Sequence, residues 1–100
     1  MHTAIEYINR NKGQISVARV THQLGVNYKW LERNFLNHFE ITPKEYIQLQ
    51  RFISAYVHLH DKSCDLHGTA IAGGYYDYNH FMKEFKDFTG KTPLEYISAK

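Results

Sequence analysis

The stretch ITPKEYI, Ile41 to Ile47, returns fifty residues later as KTPLEYI, Lys91 to Ile97. Thr42, Pro43, Glu45, Tyr46 and Ile47 match Thr92, Pro93, Glu95, Tyr96 and Ile97. Working outward at the same offset, Leu31 matches Phe81, Arg33 matches Lys83 and Phe35 matches Phe85. Further upstream the offset falls to 49: Val17 matches Leu66, Thr21 matches Ala70 and Gly25 matches Gly74. The second copy therefore carries one extra residue just after its glycine. Chance explains such agreement poorly. The chain reads as two copies of a unit of about 30 residues, Val17–Ile47 and Leu66–Ile97.

Each copy follows the same plan. In the first, Val17, Val20, Thr21 and Leu24 recur at helical spacing and share one face. Gly25 then supplies the left-handed residue on which a helix commonly ends. Asn27 is a cap for a second helix, in which Leu31, Phe35 and Phe39 form a core-facing stripe. The second copy repeats this with Leu66, Thr69 and Ala70, then Gly74, then Asp77 as cap and a stripe of Phe81, Phe85 and Phe88. Helix, glycine turn, helix is the helix-turn-helix pattern. The repeated heptapeptide then begins a further helix. Threonine caps it, proline suits its first position, and Glu45 or Glu95 completes a capping box. Tyr46 with Ile47, and Tyr96 with Ile97, fold back onto their own units.

Between the copies, residues 43–60 contain no interruption by proline or glycine after Pro43. They predict a connecting helix of about 25 Å. A short helix over Thr3–Asn11, with Ile5 and Ile8 inward, leads the chain. The expected fold is all-α. Two helix-turn-helix subdomains, residues 1–42 and 61–100, are joined by the connecting helix 43–60.

Composition narrows the function. Of the 100 residues 43% are hydrophobic and 15% aromatic, enough for a packed core, and the net charge is +2. No apolar run approaches the roughly 20 residues of a membrane helix, and the N-terminus lacks a secretion signal. A soluble, cytoplasmic protein without membrane partner is expected. The single cysteine, Cys64, has no partner for an internal disulfide. Seven histidines raise the question of a metal, and His58, His60 and His67 lie near Asp61 and Asp65 in sequence. His58 and His60 are two residues apart, however, and diverge on a helix. No metal site, no cofactor and no enzyme is expected, since no nucleophile-with-base motif or phosphate loop is present.

The faces opposite the apolar stripes carry the functional signal. On the first, Lys29, Trp30, Arg33 and Asn37 emerge, with Glu32 on a flank. On the second, Asn79, His80, Lys83 and Asp87 emerge, with Tyr78 near the helix start. Arginine and lysine donate to guanine, asparagine pairs with adenine, and glutamate accepts from cytosine. Two such helices about 34 Å apart enter adjacent major grooves of one duplex, with the connecting helix as ruler. Plainer roles stand beside these. Arg33 and Lys83 are ordinary solvated charges in the bland reading. Glu32 pairs with Lys29, Trp30 packs on the connecting helix, and Tyr78 joins the core. The alternative function is a protein–protein interaction module built on the exposed aromatics Trp30, Tyr76 and Tyr78.

The pattern resembles the C-terminal DNA-binding domain of the AraC/XylS family of bacterial transcription regulators. The resemblance is carried by ISVARVTHQLGVNYKWLERNF, TPKEYIQLQRFISAYVHL and LHGTAIAGGYYDYNHFMKEFKDFTGKTPLEYI. Its most specific signature is Gly74-Tyr75 with Asp77, His80-Phe81, Phe85-Lys86, and Gly90-Lys91-Thr92-Pro93 with Tyr96. The resemblance implies seven helices, sequence-specific binding of double-stranded DNA, and reading by the third and sixth helices. By position it implies base contacts from Lys29, Glu32, Arg33, Tyr78, Asn79, His80 and Lys83, with RNA polymerase as a further partner. Arg51 and Ala55 fall at the family's spacing on the connecting helix. The resemblance also implies a fused sensing or dimerisation domain, which this sequence does not contain. Departures fall at Thr21, Thr69, Gly73 and Glu40-Ile41, and suggest softer units, with Gly73 loosening the end of the fifth helix.

Overall fold

The computed structural model describes residues 2–59 and 65–98, the last two by backbone alone. His60, Asp61 and Cys64 lie outside the described residues. Seven helices follow one another: α1 (His2–Arg10), α2 (Val17–Leu24), α3 (Tyr28–Phe39), α4 (Pro43–Leu59), α5 (Leu66–Ala72), α6 (Tyr78–Thr89) and α7 (Pro93–Ser98). Among the described residues no helix is long and apolar enough to cross a membrane. The chain forms two compact units that divide inside α4, Met1–Arg51 and Phe52–Lys100.

The helix boundaries have local causes. Ser16, Asn27, Asp65 and Asp77 each accept a backbone N–H three residues on, from Arg19, Trp30, Gly68 and His80. Each such cap supplies a partner for a donor the first turn leaves unpaired. α4 and α7 open on reciprocal capping boxes. Thr42 N–H donates to Glu45 Oε1 at 2.9 Å, and Glu45 N–H to Thr42 Oγ1 at 3.1 Å. Thr92 and Glu95 repeat the exchange at 3.3 and 3.2 Å. These bonds lower the pKa of both glutamates. For Glu45 the backbone N–H of Thr42 contributes most, and for Glu95 the Thr92 side chain.

Unit 1 buries Ala4, Ile8, Val20, Leu31, Phe35, Tyr46 and Ile47 in one core. Removing each of the larger apolar side chains from water contributes about 1.5–3 kcal/mol. The Phe35 ring meets Tyr46 edge-on at 5.3 Å. The Tyr46 hydroxyl donates to Asn9 Oδ1 and so ties α4 to α1. Gly13 makes a second tie, because its backbone lies against α4. A Cβ there would sit 2.3 Å from Arg51 N and 2.7 Å from Ile47 O, and its φ is already +72°. No side chain fits that contact.

Unit 2 buries Phe52, Ala55, Ala70, Tyr75, Phe81 and Phe85. Phe85 meets Tyr96 edge-on at 5.7 Å, the counterpart of the Phe35–Tyr46 contact. The Tyr96 hydroxyl hydrogen-bonds that of Tyr56. The end of α4 thus serves this unit as α1 serves the other. The repeated heptapeptide has its explanation here: Thr-Pro and Glu start a helix, and the tyrosine docks it on the matching phenylalanine.

Three expectations need correcting. Phe39 and Phe88 are not buried: they are 39% and 43% exposed. Each keeps one face covered, Phe39 by Tyr46 at 5.1 Å and Phe88 by Phe52 at 4.7 Å. Gly73 does not loosen α5. A Cβ there would meet Thr69 O at 3.1 Å and the Tyr75 ring at 3.1 Å, so glycine admits a close contact. Thr69, expected to soften the unit, is fully buried with its hydroxyl used. It donates to Asp65 O at 2.8 Å and lies 3.3 Å from His58 Nδ1. His58 therefore has a structural partner. No cluster of metal-ligating side chains occurs among the described residues.

Candidate nucleic-acid interface

In each unit a glycine turn positions the second helix. After α2, Gly25 adopts φ +67°, and Val26 N–H reaches back to Thr21 O at 3.1 Å. After α5, Gly74 adopts φ +81°, and Tyr75 N–H reaches Ala70 O at 3.1 Å. The glycines match at offset 49 and the caps Asn27 and Asp77 at offset 50, so the extra residue lies within this turn. Helices α3 and α6 are then pinned from beneath by Leu31 with Phe35 and by Phe81 with Phe85, all fully buried. Fixing those faces fixes the opposite ones.

On α3, Lys29 and Arg33 are exposed one turn apart, about 160–200° from Leu31. Glu32 stands on the flank, half-buried, and Lys29 is not its partner. It accepts the Tyr28 hydroxyl through Oε2 at 2.9 Å. Trp30 does not pack on the connecting helix. It is 38% exposed and lines a groove with Thr3, Glu6, Tyr7, Arg10, Gln23, Leu24 and Val26.

On α6, Asn79 and Lys83 are exposed at the positions matching Lys29 and Arg33. His80 is also exposed, with its ring edge-on to Tyr75 at 5.2 Å. Its Nδ1 accepts the Tyr76 N–H at 3.4 Å. In the neutral ring the proton consequently sits on Nε2, which is left as a donor. Tyr78 is half-buried. Its ring lies 4.7 Å from that of His67 and 6.5 Å from Phe81, so the core reading of this residue holds for its ring. Tyr76, 91% exposed, is the most open large hydrophobic side chain among the described residues.

The structure thus brings Lys29, Glu32 and Arg33 together on α3, and Asn79, His80 and Lys83 on α6, with Tyr78 at the margin. Sequence reasoning passed over Tyr28. The signal was present in the offset of fifty, which pairs it with Tyr78.

The fold and its exposed helices define a double helix-turn-helix DNA-binding domain. A helix-turn-helix domain family matches residues 20–99. The chain belongs to that family, as an AraC-type DNA-binding domain of a transcription regulator. Among solved structures it is similar to the C-terminal domain of AraT, a response regulator from Geobacillus stearothermophilus. The TM-score is 0.90 at 23% identity, covering 99% of this chain and 84% of that one. It is also similar to the DNA-binding domain of the global transcriptional factor AdpA, solved in complex with a target DNA. There the TM-score is 0.88 at 16% identity, covering 98% and 89%. The C-terminal domain of the two-component response regulator yesN from Fusobacterium nucleatum gives 0.85 at 22%, covering 95% and 94%. No curated protein matches the chain in sequence.

Proposed function

We propose that α3 and α6 are the reading helices, each entering a major groove of one duplex. Lys29, Glu32 and Arg33 face base edges from α3, and Asn79, His80 and Lys83 do so from α6, with Tyr78 at the margin and its ring turned to His67 and Phe81. The observation that carries the reading is the matched pair Arg33 and Lys83. Each is an exposed cation placed opposite a fully buried Leu–Phe or Phe–Phe stripe. A cation in that position can donate to guanine O6 and N7, and arginine can do so through two bonds. RNA polymerase is the proposed partner at the promoter. The aromatic interaction surface finds less support, because Tyr78 spends its ring on His67 and Phe81.

Salt titration of binding to duplex DNA tests this reading. Contacts with several phosphates give an affinity that falls steeply with salt, with a log–log slope of about −0.9 per phosphate. Arg33→Ala should cost about 1–3 kcal/mol of affinity for a preferred site, and Lys83→Ala less. Unchanged affinity and unchanged sequence preference in both variants would remove α3 and α6 as readers.

A further inference from the structure

Tyr28 is the first residue of α3, and its hydroxyl donates to the Glu32 carboxylate one turn later at 2.9 Å. Both side chains border the face that presents Lys29 and Arg33. The hydrogen bond to Glu32 raises the tyrosine pKa above its ordinary value. The pair belongs to unit 1 alone. Tyr78 fills the matching place in unit 2, but Met82 stands where Glu32 would be, and Tyr78 packs on His67 instead.

A carboxylate facing DNA meets a field of phosphates. It is tolerated where it accepts from a base, and cytosine N4 is the amino group that suits it. Its long side chain must be held in place to discriminate. The residue competing for it is Lys29, three positions earlier on the same helix. We propose that Tyr28 is a positioning residue for base recognition, holding Glu32 away from Lys29 and toward a cytosine amino group. One carboxylate has about four acceptor sites, so the bond to Tyr28 leaves others for the base. Lys29 in turn keeps its charge for DNA. The inference rests on α3 being a reading helix.

The test uses the duplex site that the wild-type chain selects from random-sequence DNA, with each base pair then changed singly. Glu32→Ala should lose discrimination at one C·G pair. Tyr28→Phe should weaken discrimination at that same pair by about three- to tenfold, the size of one net hydrogen bond. It should leave the other pairs and the salt slope unchanged. In the Glu32→Ala background Tyr28→Phe should have no further effect. The proposal is overturned if Tyr28→Phe spares that pair, weakens binding to all sites alike, or acts equally without Glu32. Arg33→Ala and Glu32→Ala separate the two levels. If neither changes any preference, the reading role of α3 falls and the proposal with it. If they do and Tyr28→Phe does not, the proposal alone falls.

Discussion

Unit 1 and unit 2 descend from one plan and solve the same local problems with different residues. Where the chain leaves α3 it must pass through the left-handed region, and Glu40 does so at φ +62°. At the matching exit from α6 stands Gly90, at φ +83°. A side chain in that region costs about 1–2 kcal/mol through the clash of Cβ with the backbone; glycine avoids it. At the start of the same helices the tyrosines also part company. Tyr28 bonds forward to its own helix, and Tyr78 leans back on α5. What the two copies share is the buried Phe–Tyr contact, the capping box and the outward cation. The conserved physics of the repeat is therefore packing and capping below, with charge above, while the margins are free to differ.

The largest effect should come from deleting the shared contact. Phe35→Ala and Phe85→Ala each remove a fully buried ring, and each should cost about 3–5 kcal/mol in urea unfolding. Similar losses would show that the two cores carry equal weight. A loss under about 1 kcal/mol in either would break the parallel.

Exchanging the helix exits probes the difference. Glu40→Gly should stabilise by about 0.5–1 kcal/mol, relief of strain being partly offset by the flexibility of glycine. Gly90→Ala should cost about 1 kcal/mol. A Cβ at Gly90 meets nothing within 4 Å, so that loss reports backbone conformation alone. Equal and negligible effects in both would mean that the positive φ carries no penalty here.

The smallest effect concerns pH. Glu45 and Glu95 are both held below their ordinary value of 4.5 in the folded chain. A depressed carboxylate stabilises the fold above its unfolded value, and that contribution is lost as pH falls through the folded one. Urea midpoints should decline below about pH 4.5, and less steeply in the Glu45→Gln/Glu95→Gln variant. Glutamine retains the capping bond without the charge, so the wild type should be the more stable near neutral pH and should converge with the variant in acid. An identical acid slope would leave the two boxes without electrostatic weight.

Much of the architecture was legible in the residues. The repeat located both units, Asn27 and Asp77 marked the starts of α3 and α6, and the Thr-Pro-x-Glu pattern marked α4 and α7. Those signals are local, because a cap acts within one turn. The misreadings all concern tertiary surroundings. Phe39 lies eight residues beyond Leu31, about 80° around the helix, at the edge of the stripe. Phe88 falls in the last turn of α6, where it stacks on Phe52 but stays part-exposed. Gly73 lies against the Tyr75 ring, a contact that the local sequence does not signal. The face of each reading helix was predictable from angle, but the partners of Glu32, Trp30 and His80 were not. Those depend on which neighbour arrives first within hydrogen-bond or ring-contact distance.

The most direct measurement is selection of duplex DNA from a random pool by the wild-type chain and by its Arg33→Ala and Lys83→Ala variants. The wild type should enrich a site of two short elements, with Arg33→Ala blurring one and Lys83→Ala the other. Enrichment of an unaltered site by both variants, or of no site by the wild type, would contradict the assignment of one reader to each unit.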